Sequence, residues 1–238
     1  MIRIFTCLLL CCLFFNNSFS QISEIAKASK KIDSVLIQKD LKNFDFSNAI
    51  KDLLRIGVNY SFNSASQSGG FYNSIIKIPF PEEISLVKTT LIKLGFEKKV
   101  SKFENNINYC AELSCKNSAQ IVIKEVERLS IVNAYTIIKA ENNAATNYLK
   151  KNCSKNLYAK FHPIIEKEIN QLNLQNSFDL LLKRYNKIPF MKKVKFDLVD
   201  YITQKTIEGI FILITNKEIE IRGSNEFHST DLLRKVFK

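Results

Sequence analysis

Three cysteines and two histidines are the side chains with the most chemistry to offer here, and their spacing decides what they can do. Cys110 and Cys115 lie five apart in a stretch of helical periodicity, which sets them about 140° apart around a helix and roughly 7.5 Å apart along it. A disulfide cannot close across that geometry without breaking the helix. Cys153 makes the count odd, so the three form no closed disulfide framework. Small buried apolar side chains are the better reading for Cys110 and Cys115. His162 and His228 stand far apart, and no CxxC pair or Cys/His cluster at zinc spacing exists, so no metal site is expected. GxSxG, HExxH and a glycine-rich phosphate loop are also missing from the sequence, and its motifs therefore imply no catalytic residue and no cofactor. An enzyme would have to gather carboxylates or tyrosines from distant parts of the chain.

The other cysteines, Cys7, Cys11 and Cys12, belong to a different kind of segment. MIRIFTCLLLCCLFFNNSFSQ puts Arg3 ahead of an apolar run from Ile4 to Phe15 and ends on Ser18-Phe19-Ser20. That is the layout of a secretory signal peptide over residues 1–20, with Gln21 as the new N-terminus. The run is well short of the roughly 20 apolar residues that an anchor needs to span a bilayer. Lipidation is disfavoured, because neither Cys11 nor Cys12 follows a small residue. GIFILI at 209–214 sits in a charged neighbourhood, so the mature chain should have no transmembrane span and should be exported, periplasmic or extracellular. Residues 21–45 are polar with scattered Ile and Leu and read as a flexible arm; residues 46–238 read as one folded domain.

With 238 residues and 46% apolar side chains there is material for a sizeable core. The net charge of +12 invites a polyanion as partner. Six of the 35 cations are Arg (Arg3, Arg55, Arg128, Arg184, Arg222, Arg234), and Arg supplies the bidentate contacts of base readout. Sequence-specific nucleic-acid binding is therefore not expected. The lysines are spread out, with KIPFMKKVK (187–195) the nearest thing to a cluster. General solubility is the expected meaning of the charge. One contiguous lysine face would instead indicate docking on anionic envelope surfaces.

The elements that must carry these side chains are helices. Ser47 is the expected cap of a helix bearing Ile50, Leu53, Leu54 and Val58, ending in SFNSASQSGG. In IKIPFPEEI (76–84), Pro79 and Pro81 forbid a central strand. Pro81, Glu82 and Glu83 suit a helix start, followed by Ile84, Val87, Leu91 and Leu94 on one face and a stop at Gly95. Residues 74–80 are thus an extended lead-in clamping a helix start. Phe103, Ile107, Cys110 and Ala111 mark one further helix, and Ile121, Val122, Val126 and Leu129 another. Ser130, Asn143 and Ser154 are expected to open the next three, with a bend at Pro163. NSFDLLLKRYNKIPF closes at Pro189, DLVDYITQKTIEGIFILITNKEIEIR is a buried central helix, and STDLLRKVFK packs Leu232, Leu233, Val236 and Phe237 back onto the body. The fold class is mainly α, a single irregular multi-helix domain.

FYNSIIKIPFPEEI, LIKLGF, INYCAE, NNAATNYL, FHPII, DLVDYIT with GIF and IR, and STDLLRKVF together resemble the bacterial DUF4197 family, in the same order from about Phe46 to Phe237. The resemblance implies an exported, mostly helical protein; no activity is established for the family, and none is implied here. The chain departs from the family pattern at Tyr109, where the pattern has Arg, and at Asn142-Asn143, where it has an acidic pair. Matching polar positions include Thr146 and Tyr148. From the matches come a candidate binding cluster, Glu112, Tyr201, Arg222, Thr230 and Asp231, and a structural alternative for each: Thr230 capping the last helix, Asp231 on its dipole, Arg222 in a local pair. Three functions follow. The first is a non-catalytic binding or interaction protein of the cell envelope. The second is a hydrolase or transferase using Glu112 and Asp231, which requires those carboxylates within about 10 Å of each other in a cleft. The third is a basic protein docked on an anionic surface.

Overall fold

The computed structural model describes residues 45–237. Among these, every regular element is helical: α1 (45–65), α2 (Ser85–Lys93), α3 (Glu97–Cys115), α4 (Ala119–Arg128), α5 (Ala134–Lys139), α6 (Ala144–Gln171), α7 (Leu174–Tyr185), α8 (Leu198–Gly223) and α9 (Asp231–Val236), with short 3-10 turns at Glu82–Ile84 and Asn225–Phe227. The expected mainly α fold is what the chain adopts. The expected signal segment, residues 1–20, and nearly all of the expected arm, residues 21–45, lie outside the described residues.

α6 is the hub, in contact with α3, α4, α5, α7 and α8. Its buried apolar positions are Ala145, Leu149, Cys153, Leu157, Phe161, Ile165 and Ile169, a strict four-residue repeat. Each step over-rotates the 3.6-residue turn by about 40°, so the stripe winds about 240° around the helix from first to last. One helix can therefore serve partners on several sides. Near its start Ala145 and Thr146 meet Glu218 of α8; Phe161 packs against Phe62 of α1, and the Ile165 carbonyl lies against Cys110 of α3. Tyr158 reaches Asp200, so α6 and α8 run antiparallel.

Several starts and stops differ from the expectation. Residue 45 is already helical, so Ser47 is no cap; its hydroxyl donates instead to the Ile131 carbonyl (3.0 Å). Ser130 lies outside α5, which begins after Asn133. Ser154 opens nothing, because α6 runs unbroken from Ala144 with Pro163 inside it. The carbonyl deprived by Pro163 belongs to Ala159, four residues back and on the exposed side, where water can replace the lost donor. Leu94 is exposed rather than on the buried face. Gly95 does stop α2, at φ 82°, a conformation open to glycine at no steric cost.

Candidate functional site

The segment between α1 and α2 is built without a partner strand. From Ile75 to Phe80 exposed and buried residues alternate strictly, the pattern of a half-buried strand, and its backbone groups need partners as a strand's do. One stripe of α3 supplies them. Glu104, Asn108 and Glu112, at i, i+4 and i+8, share a helix face. Glu104 accepts from Phe80 N (3.1 Å) and pairs with Lys88. Asn108 accepts from Ile78 N and donates to Ile78 O, both at 2.8 Å. Glu112 accepts from Phe71 N (3.1 Å). From α8, the Tyr201 hydroxyl donates to Pro79 O (3.0 Å). Burial, and then the nearby Glu83, Glu82 and Glu208, push the Tyr201 phenol up, so it is a neutral donor. Gly209 completes the seat: a Cβ there would stand 3.1 Å from Ile76 and 3.2 Å from the Phe71 ring.

Between this segment and α8 lies a groove of about 240 Å³. Its apolar lining includes Ile75, 70% exposed, and Ile212, 43% exposed. Pro79 and Tyr201 line it too, with Glu82, Glu83, Glu208, Lys77 and Lys205 as its charges. Lys205 pairs with Glu208 (2.9 Å), and Lys77 stands over the Tyr72 ring.

A second polar assembly sits where α5, α6 and α8 converge. Glu218, fully buried, accepts from Ala145 N (3.0 Å), Thr146 N (2.7 Å), the Thr146 hydroxyl (2.6 Å) and Arg222 Nε (2.8 Å). It therefore caps the first turn of α6 from another helix, satisfying donors that have no intrahelical partner. Arg222 donates to the carbonyls of Ile138 (2.9 Å) and Ile137 (3.2 Å) at the end of α5, and the Phe237 ring covers it. One Glu–Arg pair thus closes the C-terminal end of one helix and the N-terminal end of the next. His228, buried beside Phe237, has Nε2 2.8 Å from the Ile221 carbonyl, which fixes its proton on that nitrogen.

The five candidate residues do not share one site. Glu112 holds the 71–80 segment, Tyr201 lines the groove, and Arg222 belongs to the buried pair. Thr230 caps α9 by accepting from Leu233 N (3.2 Å). Asp231, its side chain 93% exposed, pairs with Arg234, whose guanidinium holds that carboxyl below its usual range. Glu112 and Asp231 are thus engaged in separate structural contacts, and neither lines the groove. Sequence reasoning missed Glu104, Asn108 and Glu218. Polar residues at four-residue spacing beside the apolar stripe of α3 were the available signal for the first two, and Glu218 four residues before Arg222 for the third.

Cys110, Cys115 and Cys153 are free and buried. Burial pushes the Cys110 thiol up to about 12, with Glu168 adding to it; burial likewise raises Cys115 and Cys153. None is a reactive thiolate at neutral pH. Among the described residues no group of His, Cys, Asp and Glu could hold a metal ion, and no helix is long and apolar enough to cross a membrane.

Residues 40–238 match the family described as Protein of unknown function (DUF4197). No curated protein and no solved structure matches the chain. Of the polar residues that gave the resemblance, Glu112 and Tyr201 hold the 71–80 segment and Thr146 and Arg222 take part in closing α5 and α6; with most of its length matched, the chain belongs to the DUF4197 family.

Proposed function

We propose that this protein is a non-catalytic binding protein of the cell envelope, exported after cleavage before Gln21, and that it engages its partner through the groove between residues 75–83 and α8. One observation carries the reading. Glu112, Tyr201, Thr146 and Arg222 each spend their polar atoms on backbone groups or on Glu218 inside the fold, while Ile75 and Ile212 stand exposed beside a concave surface. Catalytic groups need free polar atoms facing substrate; binding sites need exposed apolar surface with a few charges around it. The carboxylates Glu82, Glu83 and Glu208 suit a partner segment that brings an apolar side chain and a cation.

The test uses a photo-crosslinking side chain at Ile75 or Ile212, in protein produced by a secreting host. A discrete adduct of one mass is expected from both positions, and none from exposed Val132. Adding Glu82→Lys and Glu83→Lys should abolish the adduct while the circular dichroism stays that of the parent. Adducts equally strong at Val132, or none at either groove position, would overturn the groove. N-terminal sequencing of the same material should begin at Gln21; a product that retains residues 1–20 would overturn the export.

A further inference from the structure

The turn between α7 and α8 carries a feature that neither the fold nor the groove uses. Its base is closed by one side chain: Asn186 Nδ2 donates to Val194 O (3.2 Å), and Asn186 Oδ1 accepts from Val194 N (3.0 Å). Ile188 N donates to Tyr185 O (3.0 Å) within it. At its tip Phe190 is 107% exposed, with φ 65°. A bulky residue in the left-handed region is strained by about 1–3 kcal/mol, and a wholly exposed ring returns nothing to the fold. Around it stand Lys183, Arg184, Lys187, Lys192, Lys193 and Lys195, all exposed, and among the described residues none of the six is in an ion pair. Lys183, Lys187, Lys193 and Lys195 line one open hollow with Asp179 its single carboxylate. Lys183, Arg184 and Lys187 share an adjoining one with Leu180, itself 61% exposed. The KIPFMKKVK lysines are thus joined by Lys183 and Arg184 from the end of α7.

We infer that this turn docks the protein on an anionic lipid bilayer, with Phe190 entering the interfacial layer and the surrounding lysines meeting the headgroups. Charge complementarity selects the occupant. Each cation near an anionic leaflet adds an attraction of its own, flexible lysine stems let the ammonium groups reach headgroup level around an inserted ring, and an amphipathic anchor of this kind needs one apolar insertion besides its basic face. A nucleic acid would satisfy the lysines but would leave Leu180, exposed beside Lys183, Arg184 and Lys187, without an apolar partner. The inference does not rest on the groove, which lies elsewhere on the molecule.

The chain contains no tryptophan, so Phe190→Trp makes the full-length protein report on the turn alone. With vesicles of phosphatidylcholine and phosphatidylglycerol its emission should shift to the blue and the protein should sediment with them, reversibly with added salt. Vesicles of phosphatidylcholine alone should give no shift. In the same background Lys192→Gln, Lys193→Gln and Lys195→Gln together should lower partitioning on the order of 100-fold, and in the tryptophan-free parent Phe190→Gly should lower it by about tenfold or more. Circular dichroism of both should match the parent. The inference is overturned by an unshifted emission on anionic vesicles, by an equal shift on neutral ones, or by insensitivity to the lysine changes. Tighter binding to a DNA oligonucleotide without any vesicle shift would overturn it in favour of a nucleic-acid partner.

Discussion

Replacing Glu218 by Gln should be among the most damaging single changes available to this protein, although it alters one atom. The carboxylate is fully buried, and both oxygens face two donors each: Oε1 receives Ala145 N and Arg222 Nε, Oε2 receives Thr146 N and Oγ1. Whichever way the amide turns, its NH2 confronts donors, and Arg222, its side chain 3% exposed, loses its counter-charge. Breaking a buried pair from one side costs about 3–5 kcal/mol, a large part of the roughly 5–15 kcal/mol that holds a typical domain together. The double change Glu218→Leu with Arg222→Met separates two explanations. A buried ion pair alone can often be exchanged for apolar residues with no net loss. Here the exchange still strands Ala145 N and Thr146 N and the carbonyls of Ile137 and Ile138, and at about 0.5–1 kcal/mol for each lost cap the double variant should remain about 2–4 kcal/mol less stable than the parent. Urea unfolding followed by far-ultraviolet circular dichroism gives both numbers, provided m is unchanged. A double variant as stable as the parent would refute the capping argument and leave an ordinary ion pair.

The Tyr158 phenol donates to Asp200 (2.6 Å), and that bond first, then burial, pushes its pKa up to about 12. Its folded value is raised, so the bond contributes fully below the usual tyrosine range and is lost as pH climbs through 12. Asp200→Asn should return one tyrosine to the ordinary range in a phenolate absorbance titration, with the other tyrosines unmoved. Thr206 is fully buried, and among the described residues its hydroxyl has no hydrogen-bond partner. Thr206→Val keeps the shape and removes the stranded group, so Tm should rise, by an amount equivalent to about 1 kcal/mol.

The helices were legible wherever the signal for them was local. Asp197 caps α8 from just before its start, by accepting from Asp200 N (2.9 Å), and Gly95 ends α2. Leu233 is buried as the C-terminal stripe required. The misreadings share one cause. Ser47, Ser130 and Ser154 have the side chains of caps, but a cap is a hydrogen bond in space rather than a residue type. The real donors and acceptors at the start of α6 and the end of α5 belong to Glu218 and Arg222, 72 to 85 positions away. The groove was half legible: IKIPFPEEI announced an extended lead-in, and the ladder of Glu104, Asn108 and Glu112 that supports it depends on a pairing between segments 24 to 41 residues apart. The basic turn was half legible: KIPFMKKVK was the one lysine cluster in sequence, and what a one-dimensional reading does not see is that Asn186 folds it back beside Lys183 and Arg184 at the end of α7.

The clamp of Glu218 and Arg222 also sets an order of events. The end of α5 and the start of α6 precede in the chain the partners that close them, Arg222 for the carbonyls of α5 and Glu218 for the amides of α6, both on α8. Until both have been synthesised, the middle of the chain holds open carbonyls and amides that only water can satisfy, and its helices have no α8 to lie against. The latch closes only when α8 arrives, and one Glu–Arg pair then joins three helices at once.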